Sequence, residues 1–392
     1  MKRKNGEGTW GKKNIKGVEY NFYRNPDGKY FYGKTIKDVN DKLKKYNKEA
    51  PVSKSSQTIT LYNYLTNYLS EKRNQIESTT YDNYEDALKC HVEPSIVGNK
   101  QLHNITAKDL TNFANQLAEE YSKATIDKIF RIIKPALRKA YKNGDINKDI
   151  VSDILIPTER HVAVKKKKVP FIIESDLDKL YKESKRVNEK GNACGKIGDY
   201  TYGSNAYAVL LLAHTGLRAS ELRGLKWADI DLKNKKLKVN GSLVNVRNRN
   251  NKTNELSNKY INEFKTPKTK TSVREIPLSD VAIEMINNYD KLHPNHKQSD
   301  FVVLNKNGNS PSNRNISRTL DCMLKRSGCS IEHCGLHGLR HGFGAILLTN
   351  GVDIKIVSKL LGHKDITTTY NIYIDFTAEQ VENAVIDVFN KK

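Results

Sequence analysis

The chain contains little cysteine, and no part of it resembles a membrane segment or a secretory signal. Its five cysteines are scattered among 392 residues, and an odd, scattered set argues against a disulfide framework. No stretch approaches the roughly 20 apolar residues that span a bilayer. The basic N-terminus is not followed by the apolar run of a secretory signal. We therefore expect a cytoplasmic protein with reduced thiols and no membrane partner.

Acidic residues are also scarce relative to basic ones. The chain has 44 Asp and Glu residues against 67 Lys and Arg residues, which gives a formal net charge of +23. Like charges repel each other in a compact protein, so a surplus of this size favours a polyanionic partner such as DNA, whose condensed counterions are released when its phosphates are neutralised. The alternative is a lysine-rich composition without any role in nucleic-acid binding.

A chain of 392 residues is too long for one ordinary domain, and its first 50 residues are typical of a small separate module. Aromatic residues alternate in Val18–Arg24, a turn signal follows at residues 25–28, and a second aromatic run occupies residues 29–33. This pattern predicts a β-hairpin, and residues 34–46 predict a short basic helix after it. Such a sheet fits a DNA groove, or its aromatic residues simply form the core of the module.

Residues 58–160 have a helical periodicity. Leu61, Leu65 and Leu69 lie on one stripe of a predicted helix, and Thr106 has the position of an N-cap in front of another. Several helices in about 100 residues predict a compact all-α domain.

A lysine run separates this domain from the rest of the chain. It consists of Lys165, Lys166, Lys167 and Lys168. The run is either a solvated linker or a segment that lies along bound DNA. From residue 171 onward strands and helices alternate, which predicts a mixed α/β domain that is mainly α.

Two of four short clusters place cationic side chains at predicted helix starts. In TGLRASEL, Arg218 follows a glycine turn, and Glu221 lies one helical turn further on, where it either orients Arg218 for a ligand or forms a structural ion pair with it. In HGLRH, His337 and Arg340 share one face of a helix. That face presents an imidazole and a guanidinium to a single ligand.

The other two clusters contain a lysine pair and a tyrosine pair. PKTKTSVREIP predicts a hairpin with Lys268 near its tip, although by itself it is more typical of an exposed β-turn. In LGHKDITTTYNIY, His363 follows a glycine that ends a helix, and the aspartate and threonines can cap the next one. Tyr370 and Tyr373 lie one helical turn apart at the end of this cluster.

In their order along the chain, these four clusters resemble the tyrosine recombinases, specifically the integrases of temperate phages and conjugative transposons. The resemblance is specific in the catalytic half and rests on layout in the first 160 residues. It implies a multidomain fold with a small basic β-sheet module that binds arm-type DNA sites (residues 1–50) and an all-α domain that binds core sites (58–160). It also implies a mixed α/β catalytic domain (171–375) and a tail helix that docks on a neighbouring subunit (376–392).

The resemblance also implies a set of site residues, matched position by position. The implied catalytic residues are Arg218, Lys268, His337, Arg340, His363 and Tyr373, with Lys270 as a rival for the hairpin lysine and with Glu221 and the Lys165 to Lys168 run as supporting or DNA-binding residues. Tyr373 is favoured over Tyr370 as the nucleophile because of its spacing from His363.

The chemistry of a phosphodiester explains why such residues are needed. A tyrosine phenol has a pKa near 10, and the phosphodiester that it attacks is an anion. The phosphodiester therefore repels an attacking phenolate. Arg218 and Arg340 reduce this repulsion because each guanidinium is positively charged and offers a planar fork to two phosphate oxygens. His337 is the natural base for the tyrosine proton, Lys268 the acid for the leaving deoxyribose oxygen, and His363 a hydrogen-bond donor to the phosphate.

The resemblance further implies a covalent 3′-phosphotyrosine intermediate, formed without metal or nucleotide cofactor. The implied partners are double-stranded DNA with core and arm-type sites, three further copies of the chain in a tetramer on DNA, and an excisionase or DNA-bending protein. Two other functions remain open at this point. One is a monomeric DNA-relaxing topoisomerase with the same residues, and the other is a DNA-binding regulator without catalytic activity.

Overall fold

The structure is a computed structural model. It describes residues 9–15, 17–24, 29–49, 58–165, 169–187, 201–249, 260–267 and 273–374, with the backbone alone at residues 44–49 and 371–374. The chain divides into two compact units, Met1–Lys166 and Lys167–Lys392. The boundary between them lies in the stretch that separates the predicted helical and catalytic domains. The finer domain boundaries stay predictions.

The first unit begins with a three-stranded antiparallel sheet in the order β1-β2-β3. Its elements are β1 (Thr9–Ile15), β2 (Val18–Arg24), β3 (Tyr30–Gly33) and the helix α1 (Ile36–Glu49). The predicted pairing of β2 with β3 and the basic helix are confirmed, whereas β1 was missed because its sequence is polar and contains glycine. Phe31 and Val39 are buried, while Trp10 and Tyr30 stay exposed, so only part of the aromatic set forms the core of the module.

The rest of the first unit is helical, as predicted. Its helices are α2 (Leu61–Glu71), α3 (Ser78–Ala87) with a π-helical extension (Leu88–Val92), α4 (Ile96–Asn99), α5 (Ala107–Glu120) and α6 (Lys123–Asn143), with single 3-10 turns at Leu102–Asn104, Val151–Asp153 and Glu159–His161. The three leucines of the predicted stripe are all buried. Thr106 and Asp109 form a capping box at the start of α5, in which each side chain binds the backbone N–H of the other.

The second unit contains the mixed part of the fold. Its helices are α7 (Glu174–Ser184), α8 (Ser204–Thr215), α9 (Ala219–Arg223), α10 (Asp280–Leu292), α11 (Asn313–Ser327), α12 (Leu336–Thr349), α13 (Ile354–Leu361) and α14 (Ile366–Ile374), with a 3-10 turn at Trp227–Asp229. Its strands are β4 (Ile230–Asp231), β5 (Lys236–Val239), β6 (Ser242–Arg247), β7 (Tyr260–Lys265) and β8 (Arg274–Pro277). Together the two units confirm the predicted fold class.

Helix α8 is the centre of the second unit. Its middle part is apolar on every face, and Val209, Leu210, Leu211 and Leu212 are all buried. A helix that is apolar all round must be surrounded by other elements, and α7, α10, α11 and α12 pack against it. The rigid core therefore reaches to the end of α8, where the cluster that contains Arg218 begins.

The strands of the second unit correct one sequence prediction. A local hairpin was expected around Lys268, but β7 and β8, which flank that lysine, do not pair with each other. Strand β7 pairs with β6, and β8 pairs with β5. The antiparallel pair of β6 and β7 therefore lies in the chain between the two paired strands β5 and β8. Lys268 and Lys270 lie outside the described residues. The sequence near these lysines could not show that the partner of β8 is β5, which lies much earlier in the chain.

Helix α12 approaches the start of the second unit very closely. A Cβ added at Gly342 would lie 2.5 Å from Cγ1 of Ile172 and 2.7 Å from its carbonyl oxygen. Glycine is therefore required here for packing, since α12 cannot move away without displacing His337 and Arg340, which it carries.

None of the helices in the described part of the chain is long and apolar enough to cross a membrane.

Substitution of Gly342 by Ser should destabilise the second unit by about 1 to 3 kcal/mol, because the backbone of Ile172 cannot yield as a flexible side chain would. Urea unfolding can be followed through Trp227 fluorescence in a Trp10→Phe background, so that the signal comes from the second unit alone. Gly335→Ser is the matched control, because Gly335 is the N-cap of α12 and has no atom within 4 Å of an added Cβ. Equal stabilities of the two variants would contradict the packing argument.

Candidate active site

Arg218 lies at the N-cap of α9, directly after the turn that ends α8. Its Nη1 donates to Oε1 of Glu221 at 2.7 Å, and its Nη2 donates to the carbonyl oxygen of Gly362 at 3.3 Å. Its backbone N–H donates to Oε2 of the same glutamate at 2.9 Å. The side chain remains 40% exposed, so the guanidinium is oriented by the protein and is still accessible to a ligand.

Glu221 is the buried carboxylate around which the site is arranged. Arg274 binds it with both terminal nitrogens, at 3.1 Å to Oε1 and 2.8 Å to Oε2, and Nη1 of Arg340 lies 4.0 Å from Oε2. Burial by itself would raise the pKa of Glu221, but the hydrogen bonds and charge of Arg274, together with Arg218, outweigh it and lower the pKa to about 2. Glu221 is therefore ionised and balances part of the positive charge of three arginines.

The C-terminal end of α13 holds the same three arginines from the other side. The last carbonyl groups of a helix have no partner inside the helix and carry the negative end of its dipole. The carbonyl oxygen of Leu360 accepts from Nε of Arg274 at 2.6 Å, that of Leu361 from Nη2 of Arg340, and that of Gly362 from Arg218. Three consecutive carbonyl groups thus fix three guanidiniums.

A glycine at position 362 makes this arrangement possible. It ends α13 with a φ of 65°, a left-handed conformation that side chains rarely adopt. An added Cβ would also lie 3.0 Å from Nη1 of Arg274.

Arg340 is almost fully buried, with 1% of its surface exposed. Its Nη1 donates to the carbonyl oxygen of Gly216 at 2.7 Å and its Nη2 to that of Leu361. Among the described residues, its Nε has no hydrogen-bond partner. Burial and the charge of Arg218 lower the pKa of Arg340 to about 9, although Glu221 acts in the opposite direction. A buried cation with a free donor is a strong candidate for binding an anion.

Two histidines complete the described part of the site. Burial, followed by the charges of Arg340 and Arg218, lowers the pKa of His337, whose ring packs edge-on against the ring of His341 at 4.4 Å. The same causes lower the pKa of His363 to about 4. Nδ1 of His363 lies 2.8 Å from the hydroxyl of Thr369. Both imidazoles are therefore neutral at neutral pH.

Helix α14 carries both candidate tyrosines. Tyr370 is 53% exposed, and Tyr373 lies one turn later, near the end of the helix. The side chain of Tyr373 is outside the described residues. Asp365 accepts from the backbone N–H of Thr367 in front of α14, which confirms the capping role expected for it.

The structure brings together five of the residues that the sequence singled out, and their roles stay predictions: Arg218, Glu221, His337, Arg340 and His363. In the lysine run only Lys165 is described, and its ammonium group donates to the carbonyl oxygens of Glu159 and Arg160. The other three lysines of the run lie outside the described residues.

Sequence reasoning missed Arg274, which binds both Glu221 and α13. The available signal was the alternation of β8, because Arg274 shares the core-facing side of that strand with Ile276. A charged residue at a core-facing position of a strand requires a buried partner.

Substitution of Glu221 by Gln should destabilise the second unit by about 3 kcal/mol at neutral pH, since three arginines lose their shared counter-charge. The pKa of Glu221 is about 2 in the folded chain, against an ordinary value of 4.5 for a glutamate in an unfolded chain. Its stabilising effect is therefore complete above about pH 4.5 and is lost as the pH falls through about 2. The difference between wild type and the variant in urea unfolding, followed through Trp227, should shrink over that range.

Glu275→Gln is the control for this measurement. Glu275 is an exposed neighbour of Lys236 at 3.6 Å on the same sheet, and an exposed ion pair contributes little to stability. If the two variants were equally stable, Glu221 would not hold the site together.

The family comparisons agree with this geometry. The model of the phage integrase family matches residues 170–380, and the model of the N-terminal SAM-like domain of phage integrases matches residues 60–118. A XerC-like tyrosine recombinase of Caldanaerobacter subterraneus subsp. tengcongensis is 28% identical over 375 residues, which cover 91% of this chain and 90% of the relative. The integrase of Staphylococcus phage L54a is 25% identical over 348 residues, with 84% and 93% covered.

Solved structures share the fold. The integrase of transposon Tn1549 in complex with transposon right end DNA superposes with a TM-score of 0.62 at 22% identity, covering 84% of this chain and 99% of that one. A lambda integrase dimer bound to a core site has a TM-score of 0.55 at 19% identity, with 95% and 96% covered. Because the family model matches more than half of the chain and includes the whole arginine and histidine cluster, the chain belongs to the phage integrase family and is a tyrosine recombinase that cleaves and rejoins DNA.

Proposed function

We propose that this chain is the integrase of a mobile element and that Tyr373 attacks the scissile phosphodiester between Arg218 and Arg340. The observation that carries this proposal is the state of Arg340. Its guanidinium is buried, two of its nitrogens are fixed by carbonyl groups, and its Nε has no partner among the described residues. A non-bridging phosphate oxygen supplies the missing acceptor and the missing negative charge.

The charge balance of the site supports a phosphate ligand. Arg218, Arg274 and Arg340 surround one carboxylate, so the cluster has a surplus of positive charge in a poorly solvated place. Burial, followed by the charge of Arg218, lowers the pKa of Arg340, and Arg274 adds to this effect while Glu221 opposes it. A phosphodiester anion reduces the surplus of positive charge, and the additional charge of a pentavalent transition state reduces it further, which favours the transition state over the ground state.

The proton transfers follow from the protonation states. The phenolic oxygen of Tyr373 forms a bond to phosphorus, and the bond from phosphorus to the 5′ oxygen of the next nucleotide breaks. His337 is neutral and accepts the phenolic proton. Lys268, or its rival Lys270, gives a proton to the departing 5′ oxygen. The 3′-phosphotyrosine retains the energy of the diester, so the reverse attack by a 5′-hydroxyl rejoins the strand without a nucleotide.

The position of Tyr373 in α14 supports its role as the nucleophile. Thr369 lies next to His363, and residues four apart share one face of a helix. Position 373 is therefore on the face of α14 that meets the histidine. Position 370 is turned about 100° away from position 369, and its side chain is largely exposed.

The proposed assembly is a tetramer on two DNA duplexes. The β module would bind arm-type sites and the helical domain would bind core sites. The predicted tail helix (residues 376–392), which lies outside the described residues, would dock on the neighbouring subunit and so close a ring of identical contacts. An excisionase or DNA-bending protein would set the direction of the reaction. The assignment to a mobile element is supported by relatives of that kind, namely the phage L54a integrase and the transposase of transposon Tn916 from Enterococcus faecalis.

A nicked suicide duplex tests the assignment of the nucleophile. Tyr373→Phe should abolish the covalent protein–DNA adduct on a denaturing gel, because the attacking oxygen is missing, and should leave DNA binding unchanged. Tyr370→Phe is the matched control on the same helix and should retain cleavage within about twofold. The opposite pattern would move the nucleophile by one helical turn.

Arg218→Lys tests the phosphate clamp. Lysine keeps the charge but loses the planar fork, so single-turnover cleavage should slow by about 100-fold, on the order of 3 kcal/mol in the barrier. Arg314→Lys on the exposed face of α11 should cleave at the wild-type rate when the protein is saturating. A cleavage rate for Arg218→Lys close to that of Arg314→Lys would contradict the clamp.

Joining of two labelled duplexes tests the role as an integrase. We expect covalent joining of strands from different duplexes. Cleavage and rejoining within single duplexes, without any joining of two, would contradict that role.

A further inference from the structure

Thr369 differs from the threonines beside it. Thr367 and Thr368 are exposed, whereas no part of Thr369 is accessible to solvent. Its hydroxyl lies 2.8 Å from Nδ1 of His363. Among the residues whose side chains the structure describes, His363 is the one hydrogen-bond partner of this hydroxyl. The contact crosses from the start of α14 back to the turn that follows α13.

The direction of this hydrogen bond determines where His363 carries its proton. A neutral imidazole has one N–H, and the partner of one ring nitrogen selects the state of the other. If Nδ1 carried the proton, it would donate to the threonine oxygen, and the hydroxyl hydrogen would be left without an acceptor among the described residues in a fully buried place, which is costly. If the hydroxyl donates to Nδ1, both groups are satisfied and the proton lies on Nε2.

We propose that Thr369 is a positioning residue that donates its hydroxyl hydrogen to Nδ1 of His363 and thereby fixes the tautomer whose Nε2–H donates to the scissile phosphate. This inference rests on the proposed function, because it assigns the Nε2–H of His363 to the phosphate. It adds a residue that touches neither DNA nor the reacting atoms.

The surroundings of His363 make a neutral, correctly oriented ring necessary. The charged and titratable groups that act on it are Arg340, Arg218, His341 and His337, and all of them disfavour its protonation. With a single N–H available, a proton on Nδ1 would leave a bare lone pair on Nε2, which repels a phosphate oxygen. The threonine hydroxyl excludes that state.

The position of Thr369 also couples the histidine to the nucleophile's helix. Positions 369 and 373 are one turn apart in α14 and on one face of it. The hydrogen bond therefore holds the start of that face against His363. Displacement of α14 would break the hydrogen bond between Thr369 and His363 and would move Tyr373 at the same time. The Nε2–H tautomer of His363 is therefore fixed only when α14 is in place.

Thr369→Val removes the hydroxyl and preserves the shape of the side chain. In the full-length protein, single-turnover cleavage of a suicide duplex should slow by about 10- to 100-fold, by analogy with the loss of a group that orients a metal-bound histidine. The Kd for the same duplex should change by less than about twofold. Thr369→Ser retains the hydroxyl and should restore cleavage, and Thr368→Val, the same change at the exposed neighbour, should have no effect.

The tautomer itself can be observed without any reaction. In protein labelled with 15N-histidine, long-range correlation spectra separate the two neutral tautomers, and the signal of His363 is identified by its loss in His363→Ala. We expect the proton on Nε2 in the wild type and in Thr369→Ser, and a mixture of tautomers in Thr369→Val. A wild-type ring protonated at Nδ1, or an unchanged spectrum and cleavage rate in Thr369→Val, would overturn the proposal.

A double variant separates action through His363 from a general structural effect. In a His363→Ala background, Thr369→Val should slow cleavage no further, because the group that it positions is absent. A further loss of similar size would show that Thr369 acts only on packing and would overturn the proposal. Failure of the wild type to form an adduct through Tyr373 would instead refute the proposed function, whatever the spectra show.

Discussion

The contact between one buried carboxylate and three guanidiniums is the interaction on which the rest of the site depends. Glu221 binds Arg274 and Arg218 directly and lies 4.0 Å from Arg340. Arginines so close together repel each other, and burial strengthens that repulsion because solvent screening is lost. The carboxylate offsets part of it, and the carbonyl groups at the end of α13 offset more. We propose that the scissile phosphate binds at the positive charge that remains.

This dependence explains why distant segments of the second unit converge on one point. Helix α9 brings Glu221 and Arg218, strand β8 brings Arg274, helix α12 brings Arg340, and helix α13 contributes only backbone carbonyl groups. The central helix α8 and the close packing of α12 at Gly342 fix the distances between these elements. The hydrophobic core therefore positions the functional side chains, and a few polar contacts at its edge connect the two.

Local spacing in the sequence was sufficient to predict part of this site. His337 and Arg340 were placed on one face by helical periodicity, and Arg218 with Glu221 by a turn followed by a helix. Arg274 and Thr369 were not recognised, because their partners are set by tertiary contacts: Arg274 needs the pairing of β5 with β8, and Thr369 needs the return of the chain after α13. The hairpin predicted around Lys268 was wrong for the same reason, since strand pairing over a long insertion leaves no local signal.

The most direct test of the proposed arrangement is a structure of the Tyr373→Phe variant bound to an intact core-site duplex. The proposal predicts that Nε of Arg340 donates to a non-bridging oxygen of the scissile phosphate at about 2.7 to 2.9 Å, with the Arg218 guanidinium on the same phosphate. A phosphate held elsewhere, with Nε of Arg340 bound to a protein acceptor, would contradict it.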